Sequence, residues 1–227
     1  MVAVHPDEFL LPLYFDLGAT LLFGLSGALL AARRGYDPVG LFVVALATGV
    51  GGGLLRDGLF LQQGPPVCVQ DGRYLLVVLI ASVCGYFFAA GLDKIRGLLF
   101  VVDALGLGIY AVVGVQKSLA LGLGVGAASF IGVINAVGGG LLRDVLVREE
   151  PFLFKPGEYY ALVAGAGATL FCLLTVPLAW PPSRAAAVAI AVTFALRVVS
   201  HRLGWTTPPA RTGPHPRAEA KPRVDRE

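Results

Sequence analysis

The chain is short of charge. Asp, Glu, Lys and Arg make up 15% of its 227 residues, where an ordinary soluble domain carries about 25%. Together with 56% hydrophobic residues and a mean hydropathy of +0.75, this scarcity excludes the soluble globular class and points to an integral membrane protein. The three cysteines, Cys68, Cys84 and Cys172, have no metal-ligand spacing, so their thiols are expected to pack as small hydrophobes. The sequence has no histidine cluster, nucleotide-binding fingerprint or nucleophile elbow, which leaves a soluble-type catalytic site without support. No Lys or Arg precedes the first apolar run, so the opening residues lack the basic start of a signal peptide and the first span is expected to stay.

What is present is a series of seven nearly charge-free runs, each to be set against the roughly 20 residues that cross a bilayer as a helix. They cover residues 14–32, 39–62, 74–92, 97–116, 120–147, 159–176 and 184–200. The fold class expected is an all-α membrane protein with seven transmembrane helices in a single domain over residues 1–203. The last span is short and carries Arg197. Residues 204–227 are rich in Pro, Arg and Ala with few large apolar residues, which reads as a disordered basic tail. Such a tail meets anionic lipid headgroups rather than nucleic acid. Lys and Arg are scarce and abundant in alternate loops, with Arg33 and Arg34 after the first span and Lys94 and Arg96 after the third. This places the amino terminus outside and the carboxyl terminus in the cytoplasm of a cell inner membrane.

The octapeptide VGGGLLRD occurs twice, starting at Val50 and again 87 residues later at Val137. The same gap-free shift sets Asp16 on Asp103, Phe23 on Tyr110 and Gly27 on Gly114. Residues 14–92 and 98–178 are therefore repeats of three spans each. Three is odd, so the second repeat enters the membrane from the opposite side and the pair is inverted. The seventh span, 184–203, lies outside this pattern and is expected at the periphery.

Three glycines in a spanning helix give the backbone freedom and remove side-chain packing, so a kink or unwound turn is expected at Gly51, Gly52 and Gly53 and at Gly138, Gly139 and Gly140. Irregular backbone at membrane depth belongs beside a cavity, which points to a pathway between the second and fifth spans. Small residues also let two helices pack closely, the plainer reading of the same glycines. Arg56, Asp57, Arg143 and Asp144 each cost about 2.5–3.5 kcal/mol at the bilayer centre, so they face a bundle interior or a wet cavity. Depth counting pairs Asp16 with Arg56 and Asp103 with Arg143, either as structural locks or beside a pore. Thr48 and Asn135 coincide under the shift, near the midplane, where their oxygens could hydrate a cation, although Asn135 could equally bond between helices. Ser129, Ser26 and Gln116 are further candidates of this kind, and Lys117 would snorkel to the headgroups or gate the pore.

The doubled VGGGLLRD, the stretch FDLGATLLFGLSGALLAARRG and its counterpart VDALGLGIYAVVGVQKSLALG resemble the prokaryotic branch of the trimeric intracellular cation (TRIC) channel family, over residues 15–200. The resemblance implies a homotrimer with a potassium-permeable pore in each protomer, lined by the second and fifth helices kinked at their glycines. It implies no cofactor beyond the permeant monovalent cation and bound lipid. Animal members carry a Lys-Glu-Val motif tied to phosphoinositide binding, and that tripeptide is missing here. Bacterial relatives are also labelled as glycine transporters, so a secondary transporter of a small zwitterion is the alternative function. A pure membrane scaffold would give no reason for two symmetric polar breaks.

Overall fold

The computed structural model describes residues 13–88, 96–151, 153–154 and 159–206. Its helices are α1 (Leu13–Arg33), α2 (Pro38–Leu55), α3 (Val67–Gln70), α4 (Gly72–Phe88), α5 (Arg96–Ala120), α6 (Val125–Leu146), α7 (Tyr160–Thr175) and α8 (Pro182–Arg202). A π-helical segment, Arg56–Leu61, extends α2. Five of the helices, α2 counted with that extension, are long and apolar enough to cross a membrane, and α4 and α7 are shorter apolar helices of 17 and 16 residues. The seven expected spans are thus found, with the four-residue α3 added between the second and the third.

Local chemistry sets several of the ends. Asp37 caps α2 by accepting the Gly40 N–H at 2.7 Å, and Pro38 occupies the first turn, where no N–H is required. The π segment stops at Gln62, which turns left-handed at φ 49°. Pro182 likewise opens α8. The expected tail from residue 204 begins in order, because Trp205 stands 6.0 Å from Tyr159, ring to ring, and its N–H donates to Ser200 O. The rest of that tail, 207–227, lies outside the described residues.

Two three-helix bundles result. In the first, α1 packs on α2 and α4 and α2 packs on α4; in the second, α5 packs on α6 and α7 and α6 packs on α7. These are the two halves of the inverted repeat, and they meet along α2–α6 and α1–α5. The second bundle's core is built on small residues and extends into α8 through Ala185, Ala186 and Ala189. Lipid gives helices no hydrophobic reason to associate, so close backbone approach and dispersion hold such an interface together. Outside the repeats, α8 lies on α5 and α7, where Thr193 fills the space left by Gly167.

The glycine triplets do not break their helices. Helical structure runs unbroken through Gly51–Gly53 in α2 and Gly138–Gly140 in α6. The expected unwound turns are absent because the glycines are spent on contact, the plainer of the two sequence readings. A Cβ on Gly52 would collide with the Asn135 carbonyl oxygen, and one on Gly139 with the Thr48 carbonyl oxygen. Among the described residues of α2, its extension and α6, the departure from α geometry comes later and in one repeat, as the π turn after Leu55. In α6 the same octapeptide stays α-helical to Leu146.

Candidate functional site

The doubled motif is self-complementary. The first glycine of each copy receives the second leucine of the other: a Cβ on Gly51 would lie 2.7 Å from Leu142 Cδ1, and one on Gly138 lies 2.8 Å from Leu55 Cδ1. The middle glycines meet the opposite backbone, as above. The third glycines, Gly53 and Gly140, face away from that contact, each toward the arginine of its own copy, at 3.6 and 4.0 Å. A two-fold relation between the repeats requires this reciprocity, as residue i on one side must meet j on the other while j meets i.

The centre of the crossing is closely packed. Thr48 and Asn135 are both fully buried, and neither borders the cavities described below. The Thr48 hydroxyl donates to Val44 O at 2.6 Å within its own helix, while Asn135 Nδ2 donates to Tyr110 O at 2.6 Å. Tyr110 lies against Phe23, its repeat counterpart, with ring centroids 5.1 Å apart, and its hydroxyl donates to Gly49 O. Thr20 Oγ1 approaches the same hydroxyl at 2.9 Å. The oxygens expected to hydrate a cation are therefore engaged within the protein in this conformation.

Cavities bordered by charged side chains lie on either side of this layer. At one end, Arg56 is 2% exposed and grips its neighbour Asp57 with two bonds, Nε to Oδ1 at 2.6 Å and Nη2 to Oδ2 at 2.9 Å. Its Nη1 donates to Asn135 Oδ1 at 3.2 Å, across to the other repeat. Asp57 also accepts the Val67 N–H at 3.3 Å and faces Lys117 Nζ at 3.8 Å. Arg56, Asp57, Asp16 and Gly53 border a space of about 10 Å³, about one water in size. Beyond it, Asp57 and Lys117 border a cavity of about 220 Å³ with Gln63 and Gln70.

At the other end, Arg143 Nε bonds Asp144 Oδ1 at 2.9 Å, and Nη1 donates to Ser26 Oγ at 2.9 Å, again across to the other repeat. A cavity of about 320 Å³ opens here, bordered by Ser26, Asp103, Gly140, Arg143, Asp144 and Arg197. The Arg34–Glu149 ion pair joins the end of α1 to the end of α6 beside it.

The ion pairs expected from depth counting are not direct. Each arginine takes the aspartate next to it in sequence, because that carboxylate lies within reach of the guanidinium fork. Asp16 and Asp103 share the cavities of Arg56 and Arg143, but tyrosines hold them: Tyr74 OH donates to Asp16 Oδ2 at 2.5 Å, and Tyr160 OH to Asp103 Oδ1 at 3.4 Å. The two tyrosines start the third helix of each repeat, yet the 87-residue shift sets Tyr74 on Ala161, one position off, so they gave no repeat signal. Ser129 bonds Cys172 of α7 at 3.4 Å and joins neither end. Ser26 is the partner of Arg143.

Two further groups were not foreseen in their places. The contact of Lys117 with Asp57 crosses between repeats, so no spacing rule links them. Arg197 reaches the large cavity from α8, which has no counterpart in the repeat.

A family model described as "Glycine transporter" matches residues 13–90 and 100–176, once for each repeat. The chain is 34% identical over 194 residues to the UPF0126 inner membrane protein YadS of Escherichia coli (strain K12), spanning 83% of this chain and 91% of that protein. A solved structure described under conductance through TRIC cation channels superposes with a TM-score of 0.81 at 28% identity, covering 90% of this chain and 99% of that one. The TRIC trimeric intracellular cation channel orthologue from Rhodobacter sphaeroides gives a TM-score of 0.79 at 33% identity, covering 84% and 97%.

Proposed function

We propose that this chain, which belongs to the glycine transporter family shared with the UPF0126 membrane proteins, is a potassium-permeable cation channel whose protomers each hold a pathway between α2 and α6. The observation that carries this reading is the likeness, over nearly the whole chain, to solved channels described as conducting cations. The cavities at the two ends of the α2–α6 crossing, each bordered by charged side chains, agree with it, since conduction needs approaches to a gated constriction. The packed layer of Phe23, Tyr110, Thr48 and Asn135 is then the shut gate, and opening exposes the oxygens of Thr48 and Asn135 to the ion. Lys117, on Asp57 at one mouth, is a gating charge in this reading. The likeness to YadS favours an inner-membrane location, and loop charge favours an external amino terminus.

Reconstituted protein should give unitary potassium currents in planar bilayers, with a reversal potential that follows the potassium gradient. A reversal potential that follows chloride rejects the cation assignment. A second reading, secondary transport of a small zwitterion such as glycine, is favoured by the description of the family model and by the same geometry, because a packed layer between two cavities also serves alternating access. Labelled-glycine uptake into liposomes without unitary currents decides for it.

Self-assembly is expected to give a homotrimer. In mild detergent the protein mass, corrected for bound detergent and lipid, should be three times the 23.7 kDa of one chain. A population of monomers or dimers alone counts against that assembly.

A further inference from the structure

The doubled motif of the second repeat is followed by acid where a helix end favours base. α6 stops at Leu146, and Glu149 and Glu150 come shortly after it. The carbonyl end of a helix carries partial negative charge, so a carboxylate there is disfavoured and a cation favoured. Glu149 is nonetheless held against that end: Arg148 turns left-handed at φ 57°, and the Glu149 N–H donates to Asp144 O at 2.8 Å. What answers its charge comes from the other repeat. Arg34 Nη2 donates to Glu149 Oε1 from just past the end of α1, where the Arg34 N–H is itself bonded to Ala31 O at 3.0 Å. Both side chains therefore stand on ordered helix ends rather than on free loops.

This ion pair is a second tie between α1 and α6. The first is Ser26 with Arg143, about two turns further into α1. Arg33 and Glu150, next to the pair in sequence, border the same cavity of about 320 Å³ as Glu149. The 87-residue shift sets Arg34 on Leu121 and Glu149 on Gln62, so the equivalent positions at the opposite end carry no charge. Between the two ends lies the packed layer, in which Thr48 closes on α1 at Gly27 and on α6 at Gly139. Uncovering Thr48 on the α6 side moves that helix against the first repeat, and a bond from α1 to the end of α6 resists the movement.

We propose that Arg34 and Glu149 form an ionic strap across one mouth, which holds the packed layer shut and yields as salt rises on that face. This rests on the reading of that layer as the gate, and it serves conduction and alternating access alike. The two side chains are 45% and 36% exposed, so ions reach the pair and screen it. An exposed pair of this kind shifts an equilibrium about 1.5- to 5-fold, enough to tune a gate without locking it. Loop charge favours the cytoplasm for this face, which makes the salt content of the cell interior the signal.

The test reads the opening of the layer directly. Thr48→Cys places a thiol in it, and labelling by an uncharged maleimide in liposomes is followed by peptide mass spectrometry, which separates this site from Cys68, Cys84 and Cys172. In about 0.1 M salt, adding Arg34→Gln or Glu149→Gln should speed labelling about 1.5- to 5-fold. The exchanged pair, Arg34→Glu with Glu149→Arg, should return the slow rate. In about 1 M salt, where the screening length falls from about 10 Å to about 3 Å, the intact strap should approach the rate of the neutral variants, which themselves change little. An unchanged rate in either neutral variant overturns the proposal, as does an exchanged pair that labels as fast as they do, or an intact strap that ignores salt. No labelling of Thr48→Cys in any protein overturns the layer as gate and the strap with it. In excised patches the open probability of the same variants should rise in parallel. Absence of unitary current from the wild type overturns the channel reading alone, and the labelling rates still decide the strap.

Discussion

Alanine at Gly52 or Gly139 should drive α2 from α6, while alanine at Gly53 or Gly140 should do almost nothing. At the middle positions the new methyl collides with a carbonyl oxygen of the facing helix, Asn135 for Gly52 and Thr48 for Gly139. Backbone cannot swing aside as a side-chain tip can, so the helices must part and lose the close approach that holds them in lipid. Overpacking costs of about 1–3 kcal/mol are usual, and a rigid obstacle puts these two at or above the top of that range. At the third positions a Cβ stands 3.6 and 4.0 Å from the neighbouring arginine, ordinary contact. There the helix-propensity difference between Gly and Ala, up to about 1 kcal/mol, favours the variant or leaves it neutral. The first glycines fall between, since their nearest neighbours are the ends of the Leu142 and Leu55 side chains, with backbone, Gly139 Cα at 3.5 Å and Gly52 Cα at 3.1 Å, next. Thermal melting in detergent of the single variants tests the order. A Gly52→Ala protein that melts with the wild type would show that the crossing is not as tight as described.

The same positions mark what could be read from the chain alone and what could not. Span number and inverted repeat were legible because hydropathy and an ungapped 87-residue shift are properties of the sequence itself. The triplets could be recognised as special, but a flexible break and a tight contact use the same residue, and only the facing Asn135 and Thr48 carbonyls decide between them. The π turn at Arg56–Leu61 was hidden because the identical octapeptide is α-helical throughout in α6. The two copies differ downstream, where RDGLFL stands in place of RDVLVR. Contacts that break the repeat were hidden as well: a one-position offset concealed the tyrosine partners of Asp16 and Asp103, and Arg197 arrives on a helix the repeat does not contain.

The arginines give the sharpest separation between depth counting and geometry. Arg56→Ala should destabilise the protein by about 3–5 kcal/mol, the usual cost of breaking a buried pair by removing one partner. It strands Asp57, whose side chain is 13% exposed, with only the Val67 N–H and the more distant Lys117 to answer it, and it leaves Asn135 Oδ1 without its donor. Adding Asp57→Asn to Arg56→Ala removes the stranded charge and should recover much of the loss, though not the part that belongs to Asn135. Adding Asp16→Asn instead should recover little, because Asp16 is held by Tyr74 and is not the partner left behind. Recovery by Asp16→Asn equal to that by Asp57→Asn would restore the pairing inferred from depth. The same proteins separate a structural role from a conducting one. If Arg56 only locks the helices, the folded fraction of every variant conducts as the wild type does. If it borders the ion path, Arg56→Ala leaves surplus negative charge at that mouth and raises cation entry at low salt, and Asp57→Asn cancels the gain. Melting temperature and unitary current measured on one set of variants therefore decide both the partner and the role.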